Sequence, residues 1–287
     1  MLNKYPYFSR DRIKNDLSEL GAALRKSKGQ NFLIDPNSIE KLIHPILSTY
    51  NSLLHNNAPQ PIIEIGPGLG ALTHRFVDFA KIIALEIDPV FVTLLKRLFQ
   101  SNSNFQIIEG DARRTLLNVK APMIVGNLPY YISTDLILTS LEIEAAHYFF
   151  YLVQSEFAER ICASNAISSF TVYVQNLVQV KQISKIPPSA FFPAPKVDST
   201  FFSMSRKLNS VSPAILEKLL RMSYRAKRKK LRNSWRIGEP LLSIEMVEDL
   251  AETLNINIEK RPEQIEIEAF HQLAKLIDTY VQKEIGE

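Results

Sequence analysis

The segment Pro61-Ile62-Ile63-Glu64-Ile65 is a short apolar run that leads directly into Gly66-Pro67-Gly68-Leu69-Gly70-Ala71 and then into the helical pattern of Leu72 to Phe79. A buried strand, a glycine turn and a helix in immediate succession open a doubly wound α/β sheet. Glycines there let the backbone approach a ligand closely, and the helix N-terminus faces it. Strand-like runs recur near 82–86, 105–109, 122–126, 147–153, 171–180 and 200–206, with helical periodicity between most of them. The pattern predicts an α/β chain with a Rossmann-like seven-stranded sheet. The Pro-rich stretch from Ile186 to Pro195 reads as an ordered loop between final strands that run antiparallel. Asp35-Pro36 marks the start of an earlier helix that Pro45 should end or kink.

After Arg206 the pattern becomes purely helical. Ser212-Pro213 is a helix start, and Ile215, Leu219 and Met222 share one apolar face. Further helices are expected at 244–254 and 266–282, the latter with Phe270, Leu273, Ile277 and Tyr280 as its stripe. The 287 residues therefore divide into a large domain, 1–205, and a small all-helical domain, 206–287.

Charge separates along the chain in the same place. Residues 206–236 hold eleven Lys or Arg against the single acid Glu217, whereas 237–287 hold four against twelve. Six of the eight residues in Arg225-Ala226-Lys227-Arg228-Lys229-Lys230-Leu231-Arg232 are cations that repel one another without a polyanion, so Arg225, Lys227, Arg228, Lys229, Lys230 and Arg232 are candidate RNA-binding residues. A second cluster, Arg25-Lys26-Ser27-Lys28, precedes Gly29-Gln30-Asn31-Phe32-Leu33. The only cysteine, Cys162, excludes an intramolecular disulfide and a cysteine-rich zinc site, and no metal is expected. No apolar run approaches a membrane span, and the residues from Met1 to Pro6 lack a signal-peptide core. A cytoplasmic enzyme, acting as a monomer and without a membrane partner, is the expectation.

Glu86 ends the second strand, 86 − 66 = 20 positions after the first glycine, where an acid can take both ribose hydroxyls of a nucleoside cofactor. The glycines also fit G-x-G-x-x-A, so a nicotinamide-binding unit is an alternative at this point. Three features favour S-adenosylmethionine. Glu64 lies two positions before Gly66, giving E-x-G-x-G. Asp111 follows the third strand, where a carboxylate can accept from the cofactor's adenine amino group. The fourth strand ends in Asn127-Leu128-Pro129-Tyr130, which nothing in a dehydrogenase requires.

That tetrapeptide suits a flat, amino-bearing base. An exocyclic adenine nitrogen is a poor nucleophile because its lone pair is delocalised into the ring. A catalyst must therefore hold its hydrogens and favour a more tetrahedral nitrogen. The Asn127 oxygen and a backbone carbonyl at Leu128 or Pro129 can accept them, Pro129 restrains the turn, and Tyr130 can stack on an extruded base. The alternative is an ordinary Asn-x-Pro turn after a buried strand.

Taken together, Gly29-Gln30-Asn31-Phe32-Leu33, Glu64-Ile65-Gly66-Pro67-Gly68, Asn127-Leu128-Pro129-Tyr130, Gln154 to Arg160 and Phe191-Phe192-Pro193-Ala194-Pro195-Lys196-Val197-Asp198-Ser199 resemble the ribosomal RNA adenine dimethyltransferases of the KsgA type. Leu231-Arg232-Asn233-Ser234 and Arg261-Pro262-Glu263 resemble that family's C-terminal landmarks. The resemblance implies methyl transfer from S-adenosylmethionine to N6 of two adjacent adenosines in the 3′-terminal hairpin of 16S rRNA. The small ribosomal subunit would be the partner, 1–205 the methyltransferase domain, and 206–287 the domain that holds RNA. It implies cofactor contacts at Asn31, Leu33, Gly66, Gly68, Glu86, Asp111 and Asn127. For the target adenine it implies Asn127 to Tyr130, with Phe191 stacking on the other face.

The chain departs from the family's pattern at Tyr131, where Asn is frequent. It departs again at Cys162 to Phe170, which lacks a usual glycine-containing motif. Two other functions share the motifs: dimethylation of large-subunit rRNA, as in antibiotic-resistance enzymes, and a ribosome-assembly checkpoint that binds without needing catalysis. The form of the Phe191 to Ser199 stretch and the Leu231 to Ser234 landmark favour the small-subunit enzyme.

Overall fold

A computed structural model of the chain describes residues 5–21, 30–54, 59–208, 210–226 and 228–286, with side chains through 283. The strands are β1 (Phe32–Leu33), β2 (Pro61–Ile65), β3 (Lys81–Glu86), β4 (Phe105–Glu109), β5 (Met123–Asn127), β6 (Tyr148–Gln154), β7 (Val178–Ile186), β8 (Phe191–Phe192) and β9 (Ser199–Arg206). The first helices are α1 (Arg10–Glu19), α2 (Pro36–Leu53), α3 (Thr73–Phe76), α4 (Pro89–Leu98), α5 (Ala112–Thr115) and α6 (Ser133–Leu141). They are followed by α7 (Ser155–Ile161), α8 (Ser169–Leu177), α9 (Pro213–Ser223), α10 (Leu231–Trp235), α11 (Ile244–Thr253) and α12 (Ile267–Gly286).

Seven strands form one sheet in the order β4-β3-β2-β5-β6-β9-β7. The β4 to β6 block is parallel, and β9 runs antiparallel to β6. The expected sheet is present, but its seventh strand is not where the sequence placed it. The β-branched stretch Thr171-Val172-Tyr173-Val174 is helix α8, and the strand starts at Val178. Ser168 caps that helix by accepting from the Thr171 N–H at 3.1 Å, and Thr171, Val172 and Val174 are buried. A cap together with a buried face outweighs β propensity.

Pro45 does not end α2, which continues to Leu53 on its buried face of Ile39, Leu42, Ile43, Ile46 and Tyr50. The helix after the glycine turn is a single turn, Thr73–Phe76, rather than Leu72 to Phe79.

Successive residues of the central strands, Ile62 with Ile63, Ile124 with Val125 and Phe149 with Phe150, are all nearly sealed from solvent. The sheet is therefore covered on both faces, as parallel sheets require. A separate two-stranded antiparallel sheet pairs Phe32 with Phe192 and Leu33 with Phe191.

The chain divides into two compact units: Met1–Ala158 with Lys181–Ser205, and Glu159–Val180 with Arg206–Glu287. Residues 159–180 group with 206–287 and not with the larger unit. Val172 belongs to the same apolar cluster as Leu216, Leu219, Met222, Trp235, Phe270, Leu273 and Ile277. The Val172 carbonyl also meets His271 Nε2 at 2.9 Å. Tyr280 is 43% exposed and extends the α12 stripe out of that core.

In the larger unit, Tyr5, Tyr7, Ile13 and Leu17 join the main core. The Tyr5 hydroxyl donates to the Leu69 carbonyl at 2.9 Å, inside the glycine turn. Its ring stacks on His74 with centroids 4.1 Å apart. Burial pushes the His74 pKa down to about 4, so the imidazole is neutral in this stack.

The turn is also anchored from below. The Thr73 hydroxyl donates to Glu64 at 2.6 Å, tying β2 to α3. Burial raises the Glu64 pKa to about 7, with nearby Glu86 adding to the rise against the opposing Thr73 bond. Gly126 sits where β5 approaches β2 so closely that a Cβ would lie 2.8 Å from the Ile65 carbonyl oxygen.

Replacing Gly126 by Ala should destabilise the protein by about 1–3 kcal/mol, the usual cost of overpacking. Thermal unfolding should register it as a fall of about 2–4 °C per kcal/mol; an unchanged midpoint would contradict the close approach. Glu64 supplies a second test. Its folded pKa of about 7 lies above the ordinary 4.5, so the native state binds the extra proton and stability falls as pH rises through that window. Glu64→Gln should flatten this loss between pH 5 and 8, and equal slopes in the two proteins would refute it.

Candidate active site

The carboxyl ends of β2, β3 and β5 open onto one cavity. Gly66 and Gly68 of the turn, Asn31 and Leu33 from the β1 region, Glu86 at the end of β3 and Asp111 after β4 all line it. The whole of Asn127-Leu128-Pro129-Tyr130 lines it too. The cavity measures about 170 Å³ and opens to solvent at its mouth.

The turn has room for a ligand. Gly66 has φ +63 and a Cβ there would meet nothing within 4 Å, whereas at Gly68, with φ +55, it would strike the Phe32 ring at 2.9 Å. Backbone conformation and crowding both demand glycine at the second position.

Each acid around the cavity is already held. Glu86 accepts from the Gly68 N–H at 3.2 Å and from the Asp88 N–H at 2.9 Å, so its carboxylate locks the turn to the β3 end. Burial nevertheless raises its pKa. Asp111 caps α5 by accepting from the Arg113 N–H at 3.0 Å, and the Arg113 guanidinium grips both its oxygens, at 2.6 Å for the shortest contact. That grip holds the Asp111 carboxyl below its ordinary pKa.

The tetrapeptide is equally fixed. Asn127 Nδ2 donates to the Asn31 carbonyl at 3.0 Å, which brings two predicted contacts together across 96 positions and leaves the amide oxygen as the accepting atom. The Leu128 N–H continues the β5–β6 ladder to the Leu152 carbonyl at 3.0 Å. The Pro129 carbonyl accepts from the Ile132 N–H at 3.1 Å and the Ser133 hydroxyl at 3.0 Å, so its lone pairs serve the turn. Tyr130 is anchored through its hydroxyl to Ser199 on β9 at 2.9 Å.

Phe191 does not join them. It is fully buried in the core, because its pairing with Leu33 turns it inward while Phe192 faces outward beneath Arg10 and Lys14. The expected stacking wall at Phe191 is corrected accordingly: the ring is a core anchor and is absent from the cavity lining.

The cavity includes residues that motif reading passed over. Ile87 is 63% exposed at its edge, and Gln30 reaches Asp88 across it at 3.4 Å. An apolar residue directly after a strand-end acid was the available signal for Ile87. Arg113 carried none, since its role follows from the conformation of α5.

The basic segment of the helical unit is less bare than its sequence suggests. Lys230 and Arg232 both pair with Glu259, at 2.8 and 3.0 Å, and Arg225 donates to the Ile237 carbonyl. Part of the repulsion is thus relieved within the protein. Arg228 and Lys229 are exposed. Lys227, the cluster Arg25-Lys26-Ser27-Lys28 and Gly29 lie outside the described residues. Among the described residues, no helix is long and apolar enough to cross a membrane.

Residues 21–279 match the family model of the ribosomal RNA adenine dimethylases. The chain is 34% identical to the "Ribosomal RNA small subunit methyltransferase A" of Borreliella burgdorferi over 286 residues, 96% of each chain. It is 34% identical to the protein of the same name from Pseudomonas aeruginosa over 267 residues, 87% of this chain and 93% of that one. Among solved structures it is similar to a dimethyladenosine transferase from Plasmodium falciparum, with a TM-score of 0.70 and 25% identity over 87% of this chain and 97% of the other. The 23S rRNA methyltransferase ErmE shares the fold, with a TM-score of 0.67 at 23% identity over 86% of this chain and all of that one. The chain belongs to the ribosomal RNA adenine dimethylase family.

Proposed function

We propose that this enzyme transfers methyl groups from S-adenosylmethionine to N6 of two adjacent adenosines in the 3′-terminal hairpin of 16S rRNA, within the small ribosomal subunit. The small-subunit methyltransferase names of its relatives favour that substrate over large-subunit RNA. The observation that carries the chemistry is the fixed amide of Asn127, its nitrogen bonded to Asn31 and its oxygen left to accept.

S-adenosylmethionine, when bound, supplies an activated methyl on a sulfonium. The residues at the carboxyl ends of β2, β3 and β4 suit it: an open backbone at Gly66, the tight turn at Gly68, Glu86 for the ribose hydroxyls and Asp111 for the adenine amine. Asn31 and Leu33 close the same side, and Ile87 offers an apolar face to the cofactor's base. Asp111 must share its oxygens between that amine and Arg113.

At the target base, the Asn127 oxygen and the Leu128 carbonyl accept the two N6 hydrogens, since the Pro129 carbonyl is engaged in its own turn. Holding both hydrogens drives the nitrogen toward a tetrahedral shape with its lone pair aimed at the methyl. The Tyr130 ring, fixed by Ser199, stacks on the base. No strong general base is required, because catalysis comes from positioning and charge complementarity. After the first transfer one hydrogen remains, and either acceptor can keep the amine aligned. Arg228 and Lys229, with Lys227, Arg225, Lys230 and Arg232, provide contacts to RNA phosphates.

Asn127→Ala should lower turnover by roughly 10²-fold, the scale of losing one preorganised polar contact in an active site, with cofactor affinity changed far less. Methyl incorporation beside calorimetric titration separates the two; unchanged turnover removes Asn127 from the mechanism. Unmethylated small subunits should accept methyl groups where large subunits and naked RNA do not. Incorporation into large subunits instead would favour the resistance-type activity, and tight binding of small subunits without incorporation would favour a checkpoint.

A further inference from the structure

Tyr131 is 70% exposed, yet it lines the same cavity as Asn127 and Tyr130. Both tyrosines lie on the 3₁₀ turn Tyr130–Ile132, where successive residues point about 120° apart. Tyr130 is drawn to Ser199, so the Tyr131 ring is presented at the rim. The charges near it are those of α5 and α6. Arg113, which also lines the cavity, is engaged with Asp111 and, at 3.9 Å, with Asp135. Arg114, beside it, is exposed.

An exposed aromatic ring at the rim of the cavity lined by Asn127 and Tyr130 suits an unstacked nucleobase. We propose that Tyr131 is a substrate-positioning residue that stacks on the base adjoining the adenosine held by Asn127 and Tyr130. This rests on the proposed function, in which that neighbour is the second target adenosine. Two methyl groups on N6 remove both hydrogens through which a polar side chain would grip the neighbour. They leave its π face intact. A stacking ring therefore holds the adjoining adenosine both before and after its own methylation, so one binding mode serves every transfer.

The test uses the full-length protein with unmethylated small subunits, comparing wild type, Tyr131→Phe and Tyr131→Ala. The Ala variant should raise KM for subunits about tenfold or more, in the range of losing one base–aromatic stack, with S-adenosylmethionine affinity unchanged. The Phe variant should restore wild-type KM. In unmethylated small subunits carrying 2-aminopurine at the adjoining position, wild type and Tyr131→Phe should quench its fluorescence and Tyr131→Ala should not. Wild-type kinetics in the Ala variant, or a Phe variant as impaired as Ala, would overturn the assignment. Failure of the wild-type protein to methylate small subunits would instead overturn the functional reading, and this assignment with it.

Discussion

The parallel register of three strands sets the level of every group at the cavity. Ile65 of β2 pairs with Leu85 of β3 on one side and with Gly126 of β5 on the other. Gly66, Glu86 and Asn127 therefore leave the sheet side by side. A slip of one residue would turn each side chain to the opposite face. Burial of both faces of these strands fixes that register. The close contact of Gly126 with the Ile65 carbonyl holds β5 near enough for the tetrapeptide to reach the glycine turn.

On that platform, polar groups are restrained by one another before any ligand arrives. Glu64 holds Thr73, Glu86 holds two backbone N–H groups, Asp111 holds Arg113, and Asn127 holds Asn31. These bonds cross between strand ends and loops, so the cavity keeps its shape through hydrogen bonds that fix orientation at little reorganisation cost. The Asp111–Arg113 grip differs, since one exposed guanidinium engages both oxygens of the carboxylate. In the helical unit Glu259 has a comparable position, neutralising Lys230 and Arg232 from a distant stretch of chain.

Much of this was legible in the sequence because short apolar runs bounded by turn residues have few other readings. β2 to β6 and β9 lie within a residue or two of their expected places, and the Ile215, Leu219 and Met222 face is buried as read. The expected cofactor contacts and Asn127 to Tyr130 also line one cavity, while Phe191 is buried apart from it. What escaped notice depends on partners remote in the chain. The valines of α8 resemble a strand until the helical core that covers them is known. Phe191 and Phe192 are indistinguishable until the two-residue pairing with Phe32 and Leu33 decides which ring faces inward. The relief of the basic segment by Glu259 has no local signature at all.

The segment carrying Tyr5 and α1 lies ahead of residue 21, where the family match begins. It supplies no group to the cavity lining, yet Tyr5 bonds the Leu69 carbonyl and covers His74 behind the glycine turn. A protein trimmed to the matched span would keep every proposed catalytic side chain while exposing a neutral imidazole and freeing a carbonyl in the loop that must stay still. Motif boundaries and folding boundaries thus fall at different places here. The shortest piece that looks complete by its chemistry is shorter than the piece that holds its own glycine turn in shape.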